Sequence, residues 1–197
     1  MDNIKVLKFK GSLKISGDKS ISHRALILAA MSTGKTTISN LLESDDVIRT
    51  LKILKQLGIK IIKDGNKWLV YGNGTSGFIE PEESLNCGNS GTTARLMIGA
   101  VSSNPISCSF IGDKSLSKRS MSRVTKHLEK IGATVHITNE DYLPLLISGS
   151  DQLLPMKHNI QKASAQIKSA LILASLNIQE KQKLLRIFQQ EIILNDF

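Results

Sequence analysis

Three places in this chain set small hydroxyl side chains at the start of an apolar stretch: Ser20 and Ser22, Thr92 and Thr93, and Ser164 and Ser169. Four cations, Lys19, Arg24, Arg119 and Lys168, stand close to these openings or to a related segment. The first turn of a helix has backbone N–H groups without intrahelical partners and a partial positive charge, so it attracts anions. Small residues let a ligand approach that backbone. Arginine grips phosphate or carboxylate through two parallel hydrogen bonds, whereas lysine acts as a point charge. The chemistry implied is the holding of small, multiply charged anions. For any one opening taken alone, hydroxyls that only cap a helix are the better explanation. Three parallel openings shift the balance toward a ligand.

Other candidates are weaker. Ser32-Thr-Gly-Lys-Thr-Thr37 resembles the end of a phosphate-binding loop, but the pattern requires glycine where Ala29 stands. A turn between helix and strand is expected there instead. Asp45 and Asp46 could act as an acid–base pair, yet acids in a first helical turn after Ser44 account for them. Cys87 precedes a glycine turn without a nearby histidine to activate it, and reads as a small buried residue. No cysteine or histidine spacing suits a metal.

The elements that would position these groups alternate between helix and strand, which makes the class α/β. Strands are expected over residues 4–9, 59–63, 67–71, 106–111, 133–138 and 144–148, with an Asp-Gly turn at 64–65. Helices are expected over 22–31, from Ser44 to Gly58, after the turn CGNSG, over 117–131 and over 164–177. Internal repetition is the strongest signal. Gly17-Asp-Lys-Ser-Ile-Ser-His-Arg24 matches Gly112-Asp-Lys-Ser-Leu-Ser-Lys-Arg119 at six of eight positions. Ala25-Leu-Ile-Leu-Ala29 returns as Ala170-Leu-Ile-Leu-Ala174, and Ala94-Arg-Leu-Met-Ile98 resembles both. A module of about 70 residues used about three times fits, each copy covering its neighbour's apolar face. Pseudo-threefold symmetry would bring the three helix starts together.

Composition narrows the function. The chain has 197 residues, 26 Lys+Arg against 17 Asp+Glu, and a net charge of +9. Six bases and two acids fall between Gly112 and Lys130. Aromatics are only 4%, which argues against a nucleic-acid surface built on base stacking. The longest apolar run, residues 25–31, is far short of the about 20 residues that span a bilayer. No apolar signal core opens the chain, and with two cysteines a reduced, cytoplasmic setting is the simplest reading.

GDKSISHRALILAA, LLESDD, NCGNSGTTARL, GDKSLSKRSMSRV and SAQIKSALILA, in this order over residues 11–177, resemble the successive signatures of the 5-enolpyruvylshikimate-3-phosphate synthase family, the 3-phosphoshikimate 1-carboxyvinyltransferases. The resemblance implies transfer of the enolpyruvyl group of phosphoenolpyruvate to the 5-hydroxyl of shikimate 3-phosphate, with release of phosphate. It implies no metal and no organic cofactor. It also implies two domains, each of three βαβαββ units. By motif position, Ser20, Arg24, Ser164 and Gln166 would hold shikimate 3-phosphate, and Lys19 would contact both substrates. Gly91 and Arg119, with Lys19 and Gln166, would line the phosphoenolpyruvate site, and Asn89 and Thr92 share that loop. In the family, glycine at position 91 leaves room for glyphosate.

The same resemblance sets the expected domain plan. Residues 1–16 would be a strand segment associated with a second domain. Residues 17–177 would be the N-terminal enolpyruvyl transferase domain, incomplete in its third unit. Residues 178–197 would be a divergent tail in which Leu184, Leu185, Phe188 and Ile192 could form a helical stripe. The family's acid–base residues belong to the second domain, so none is expected in this chain, and a C-terminal half, missing or separately encoded, is implied. This chain alone is expected not to turn over. Two other readings compete. One is the related transferase acting on UDP-N-acetylglucosamine, which lacks GDKSISHR and typically uses a loop cysteine that 112–119 does not have. The other is a non-catalytic basic domain for phosphorylated ligands or another partner.

Overall fold

The computed structural model describes residues 10–13, 15–137, 141–155, 157–160, 164–178 and 183–186. The strand expected at 4–9 lies outside them, as do Phe188 and Ile192. The first unit contains α1 (Lys19–Met31), β1 (Thr33–Ser39), α2 (Asp45–Gln56), β2 (Lys60–Asp64) and β3 (Lys67–Asn73). The second runs β4 (Leu85–Asn86), α3 (Gly91–Val101), β5 (Ser107–Ile111), α4 (Ser122–Lys130), β6 (Thr134–Ile137) and β7 (Leu145–Ser148). That is one complete βαβαββ unit. The third unit supplies β8 (Lys157–Ile160), α5 (Ala165–Ser175) and β9 (Lys183–Arg186).

Sheet order repeats with the units. The first sheet is β1-β3-β2 and the second is β4-β5-β7-β6, so β5, β7 and β6 occupy the places of β1, β3 and β2. β4 joins β5 in parallel, and β8 joins β9 in parallel, each pair enclosing the central helix of its unit. Residues 183–186 are therefore a strand, and the helical stripe expected through Leu184 and Leu185 does not form.

The central helices α1, α3 and α5 are apolar and heavily buried, whereas α2 and α4 carry acids and bases on an outer face. This division puts the three apolar helices in one core, with Leu26, Ile27, Leu96, Met97, Ile98 and Leu171 fully covered. Gly99 of α3 packs so closely on α5 that a Cβ would strike the carbonyl oxygen of Ala170. The ends of the helices repeat a device. The hydroxyls of Ser32, Ser102 and Ser175 donate to the carbonyls of Ala29, Gly99 and Ile172, each three residues back. Gly72 and Gly149 then pass under the carbonyls that end α1 and α3, where any side chain would collide. The module is thus used the same way in successive units.

Four sequence expectations change. Residues 33–39 form β1 rather than a turn, paired along its whole length with β3. The helix expected at 22–31 starts at Lys19, because the Asp18 carboxylate accepts the Ile21 N–H at 2.8 Å and caps it there. The β2–β3 hairpin pairs Asp64 with Lys67, so its two-residue loop is Gly65-Asn66. The basic helix expected over 117–131 is broken: a short 3₁₀ turn at Leu116–Lys118 is followed by extended backbone at Arg119 and then by α4. The Ser120 carbonyl, which a continuous helix would use internally, accepts instead from Arg95 Nη2 at 3.2 Å.

The Gly99 contact gives a direct check. Gly99→Ala should lower unfolding free energy by about 1–3 kcal/mol, the usual cost of overpacking, as measured by denaturant titration. An unchanged midpoint would mean that α3 and α5 do not meet there.

Candidate functional site

The N-cap of each central helix is a short oxygen-bearing side chain. Asp18 Oδ1 accepts from Ile21 N–H, Ser90 Oγ from Thr93 N–H at 3.1 Å, and Ser164 Oγ from Ile167 N–H at 3.4 Å. The capping reading of these hydroxyls therefore holds for Ser164. Ser20 and Thr92 lie past their caps, in the first turns.

Side chains from different units then join the starts. Gln166 Nε2 donates to Thr92 Oγ1 at 2.9 Å, tying α5 to α3. Arg24 reaches from α1 to α5 and donates from Nε and Nη2 to Ser169 Oγ at 3.1 and 2.7 Å, while its Nη1 donates to the Ser20 carbonyl. Lys19 pairs with Asp46 at 3.0 Å, and the Asp46 carbonyl accepts from Thr93. Asp46 is thus more than a first-turn acid: it links the starts of α1 and α3.

The second cluster is a cavity of roughly 320 Å³ lined by Arg95, Arg119, Ser120, Arg123, Ser164, Gln166 and Ile167. Arg95 Nη1 donates to Gln166 Oε1 at 3.0 Å. Arg119 Nη2 donates to Asn89 Oδ1 at 2.8 Å and to Ser115 Oγ at 3.0 Å. Among the described residues, none of these three arginines makes an ion pair with a carboxylate. Burial, then the charges of Arg119 and Arg123, hold the Arg95 guanidinium below its ordinary value. Like charges gathered without a counter-ion repel one another, and a bound anion relieves that repulsion.

The expected residues therefore fall in two adjoining groups. Lys19, Ser20 and Arg24 gather at the start of α1, and Asn89, Gly91, Thr92, Arg119, Ser164 and Gln166 gather around the starts of α3 and α5. Lys19, Ser20 and Arg24 do not line the arginine cavity. Arg95 and Arg123 were missed. For Arg95 the signal was spacing, four residues after Gly91 and one turn on in α3; Arg123 had no such signal, because Arg119 is extended and lies outside α4. The GDKSxSxR echo also differs from its first appearance. The copy at 17–24 opens a central helix, while the copy at 112–119 is a loop before an outer one. What repeats is local: Asp113 Oδ1 accepts from the Ser115 and Leu116 N–H groups as Asp18 does from Ile21.

Cys87 and Cys108 are buried, and burial pushes both thiols up to about 12, so neither is a nucleophile at neutral pH. Among the described residues no cluster of three or more metal-ligating side chains occurs, and no helix is long and apolar enough to cross a membrane.

An α/β domain of repeated units whose helix starts gather uncompensated cations defines the class. Comparison then places it. The family model for EPSP synthase (3-phosphoshikimate 1-carboxyvinyltransferase) matches residues 5–194. The 3-phosphoshikimate 1-carboxyvinyltransferases of Ruegeria sp. and Parvibaculum lavamentivorans are 46% and 47% identical over 169 residues, covering 85% of this chain. A solved EPSP synthase from Acinetobacter baumannii superimposes with a TM-score of 0.87 at 34% identity, over 92% of this chain and 41% of that one. The chain belongs to the EPSP synthase family. It spans 38% and 37% of the length of those two relatives.

Two outcomes follow from this geometry. A Cβ at Gly91 would lie 2.7 Å from Arg95 Nη1. Gly91→Ala should push that guanidinium aside and separate it from Gln166, which a crystal structure of the variant would show; an unmoved Arg95 would contradict the packing. The second concerns His23, which desolvation lowers from 6.5 to about 4, with Asp46 opposing and Lys19 and Arg24 assisting. The folded state then binds this proton less readily than the unfolded state. The associated stability is complete above pH 6.5 and is lost as pH falls toward 4. His23→Leu should flatten that part of the stability–pH curve in thermal denaturation.

Proposed function

We propose that this chain is the N-terminal substrate-binding part of a 3-phosphoshikimate 1-carboxyvinyltransferase. The observation that carries the reading is the gathering of Arg95, Arg119 and Arg123 at the starts of α3 and α5, with Arg95 and Arg119 fixed by neutral acceptors and no carboxylate paired with any of the three among the described residues. Such a site is built for an anion that brings its own charge.

The reaction adds the 5-hydroxyl oxygen of shikimate 3-phosphate to C2 of phosphoenolpyruvate, giving a tetrahedral intermediate, and then expels phosphate as the enolpyruvyl double bond reforms. Both reactants are anions and must be held together against their repulsion. Ser20, Arg24, Ser164 and Gln166 hold shikimate 3-phosphate. Arg119, Gly91 and the Asn89–Thr92 loop hold phosphoenolpyruvate, with Gln166 between the two. Lys19 serves both once ligand charge draws it from Asp46. Fixed guanidinium charges and helix-start N–H groups stabilise charge developing on the intermediate. The proton transfers fall to residues of the family's second domain. A polypeptide of these 197 residues alone binds substrate without turnover, its residues 17–177 forming the binding domain and 1–16 serving the second. The setting is cytoplasmic, where buried unpaired thiols such as Cys87 and Cys108 stay reduced.

Calorimetric titration with shikimate 3-phosphate, set against inorganic phosphate and duplex DNA, tests this. We expect preference for shikimate 3-phosphate, and Arg24→Ala to weaken it by about ten- to a hundredfold, as for loss of a charged hydrogen bond. Binding that favours DNA, or is indifferent to Arg24, would overturn the reading.

A further inference from the structure

His23 of α1 is fully buried, and its Nε2 has no hydrogen-bond partner. An orphaned polar atom in a core is costly. An apolar side chain would avoid that cost, so the other ring nitrogen must do something that an apolar side chain cannot.

Nδ1 lies 2.8 Å from Thr50 Oγ1 on α2. Thr50 Oγ1 lies 2.9 Å from Thr93 Oγ1 on α3. Thr93 Oγ1 is 2.7 Å from Ser90 Oγ and 3.1 Å from the Asp46 carbonyl oxygen. His23, Thr50, Ser90 and Thr93 are all buried, so no bulk water completes the set. Thr93 is the donor toward both Ser90 and the Asp46 carbonyl, so its one proton serves one or the other of these acceptors. Thr50 is then the donor to Thr93. The contact between Thr50 and His23 is left, and only an Nδ1–H can fill it. The run from His23 through Thr50 and Thr93 to its acceptor closes when His23 is the neutral Nδ1–H tautomer. With the proton on Nε2 instead, one of these links has no proton and a buried N–H has no acceptor.

The ends of this chain are the elements that carry the candidate site. Ser90 caps α3 just before Gly91 and Thr92. Asp46, whose carbonyl is an end point, holds Lys19 through its carboxylate. Arg24 follows His23 directly in α1. We propose that His23 is a positioning residue: through Thr50 and Thr93, its Nδ1–H fixes the first turn of α3 and the backbone of Asp46 against α1. That this turn and Lys19 receive substrate rests on the binding reading above; the hydrogen-bonded chain does not.

The test is nuclear magnetic resonance on the full chain, labelled at histidine and at backbone amides. The His23 ring should show a protonated Nδ1 and an unprotonated Nε2 throughout pH 7 to about 5. In Thr50→Val, which keeps shape and removes the link, the Thr93 and Ala94 amides should exchange about tenfold faster while α5 amides keep their wild-type rates. His23→Leu, which fills the space without a donor, should act alike. His23→Asn, which retains an N–H near the Nδ1 position, should restore slow exchange. A proton on Nε2, an imidazolium at neutral pH, unchanged Thr93 and Ala94 exchange in folded Thr50→Val, or a uniform speed-up across the core would each overturn the proposal. Titration of the unsubstituted chain with shikimate 3-phosphate judges the binding reading separately: absent binding alongside the expected exchange pattern removes that reading and leaves this one standing.

Discussion

The exclusion of carboxylates, among the described residues, from one patch of positive charge is the constraint around which this domain is organised. Arg95, Arg119 and Arg123 lie together, and the partners of Arg95 and Arg119 are two side-chain amides, a hydroxyl and backbone carbonyls. Neutral acceptors fix the direction of a guanidinium without cancelling its charge. The domain tolerates the repulsion because two of the three arginines are exposed and water screens them. An entering phosphate or carboxylate would trade that screening for direct contacts. Lys19 is the exception, since it holds Asp46, and the pair is open enough to water to be weak.

The rest of the fold serves this placement. Repetition of one unit puts α1, α3 and α5 side by side, and their apolar faces all the way round leave nowhere else for them to pack. Close approach at Gly99, and the glycines under the ends of α1 and α3, fix the helices along their length. At the other end, capping residues and links between units fix the starts. The buried hydroxyls between His23 and Ser90 belong to this second set, and they join α1, α2 and α3 where packing alone would allow sliding.

Much of this was legible in the sequence. The helices at ALILA and ARLMI were readable because both repeat and both are apolar. The hydroxyls and cations at their openings followed from what helix starts do. The break before α4 was not legible, because Ser117 to Ile131 has good helical spacing and the competing bond comes from Arg95, far away in sequence. Arg123 was hidden for the same reason: in an unbroken helix it would have been one more base on a solvated face. β1 was hidden because residues 33–39 are polar and mostly exposed, and only their pairing with β3 makes them a strand. Asp46 and His23 gained their roles from neighbours on other helices, which no local pattern records.

The central claim is that anions are received at the gathered helix starts and not on the basic surface at large. Amide chemical-shift mapping during addition of phosphoenolpyruvate and shikimate 3-phosphate addresses it most directly. The account predicts that the largest shifts fall at Lys19–Arg24, Asn89–Thr92, Arg119 and Ser164–Gln166, while Lys52, Lys60 and Lys130 stay still. Shifts spread over the exposed lysines, with Gly91 and Gln166 unmoved, would contradict it.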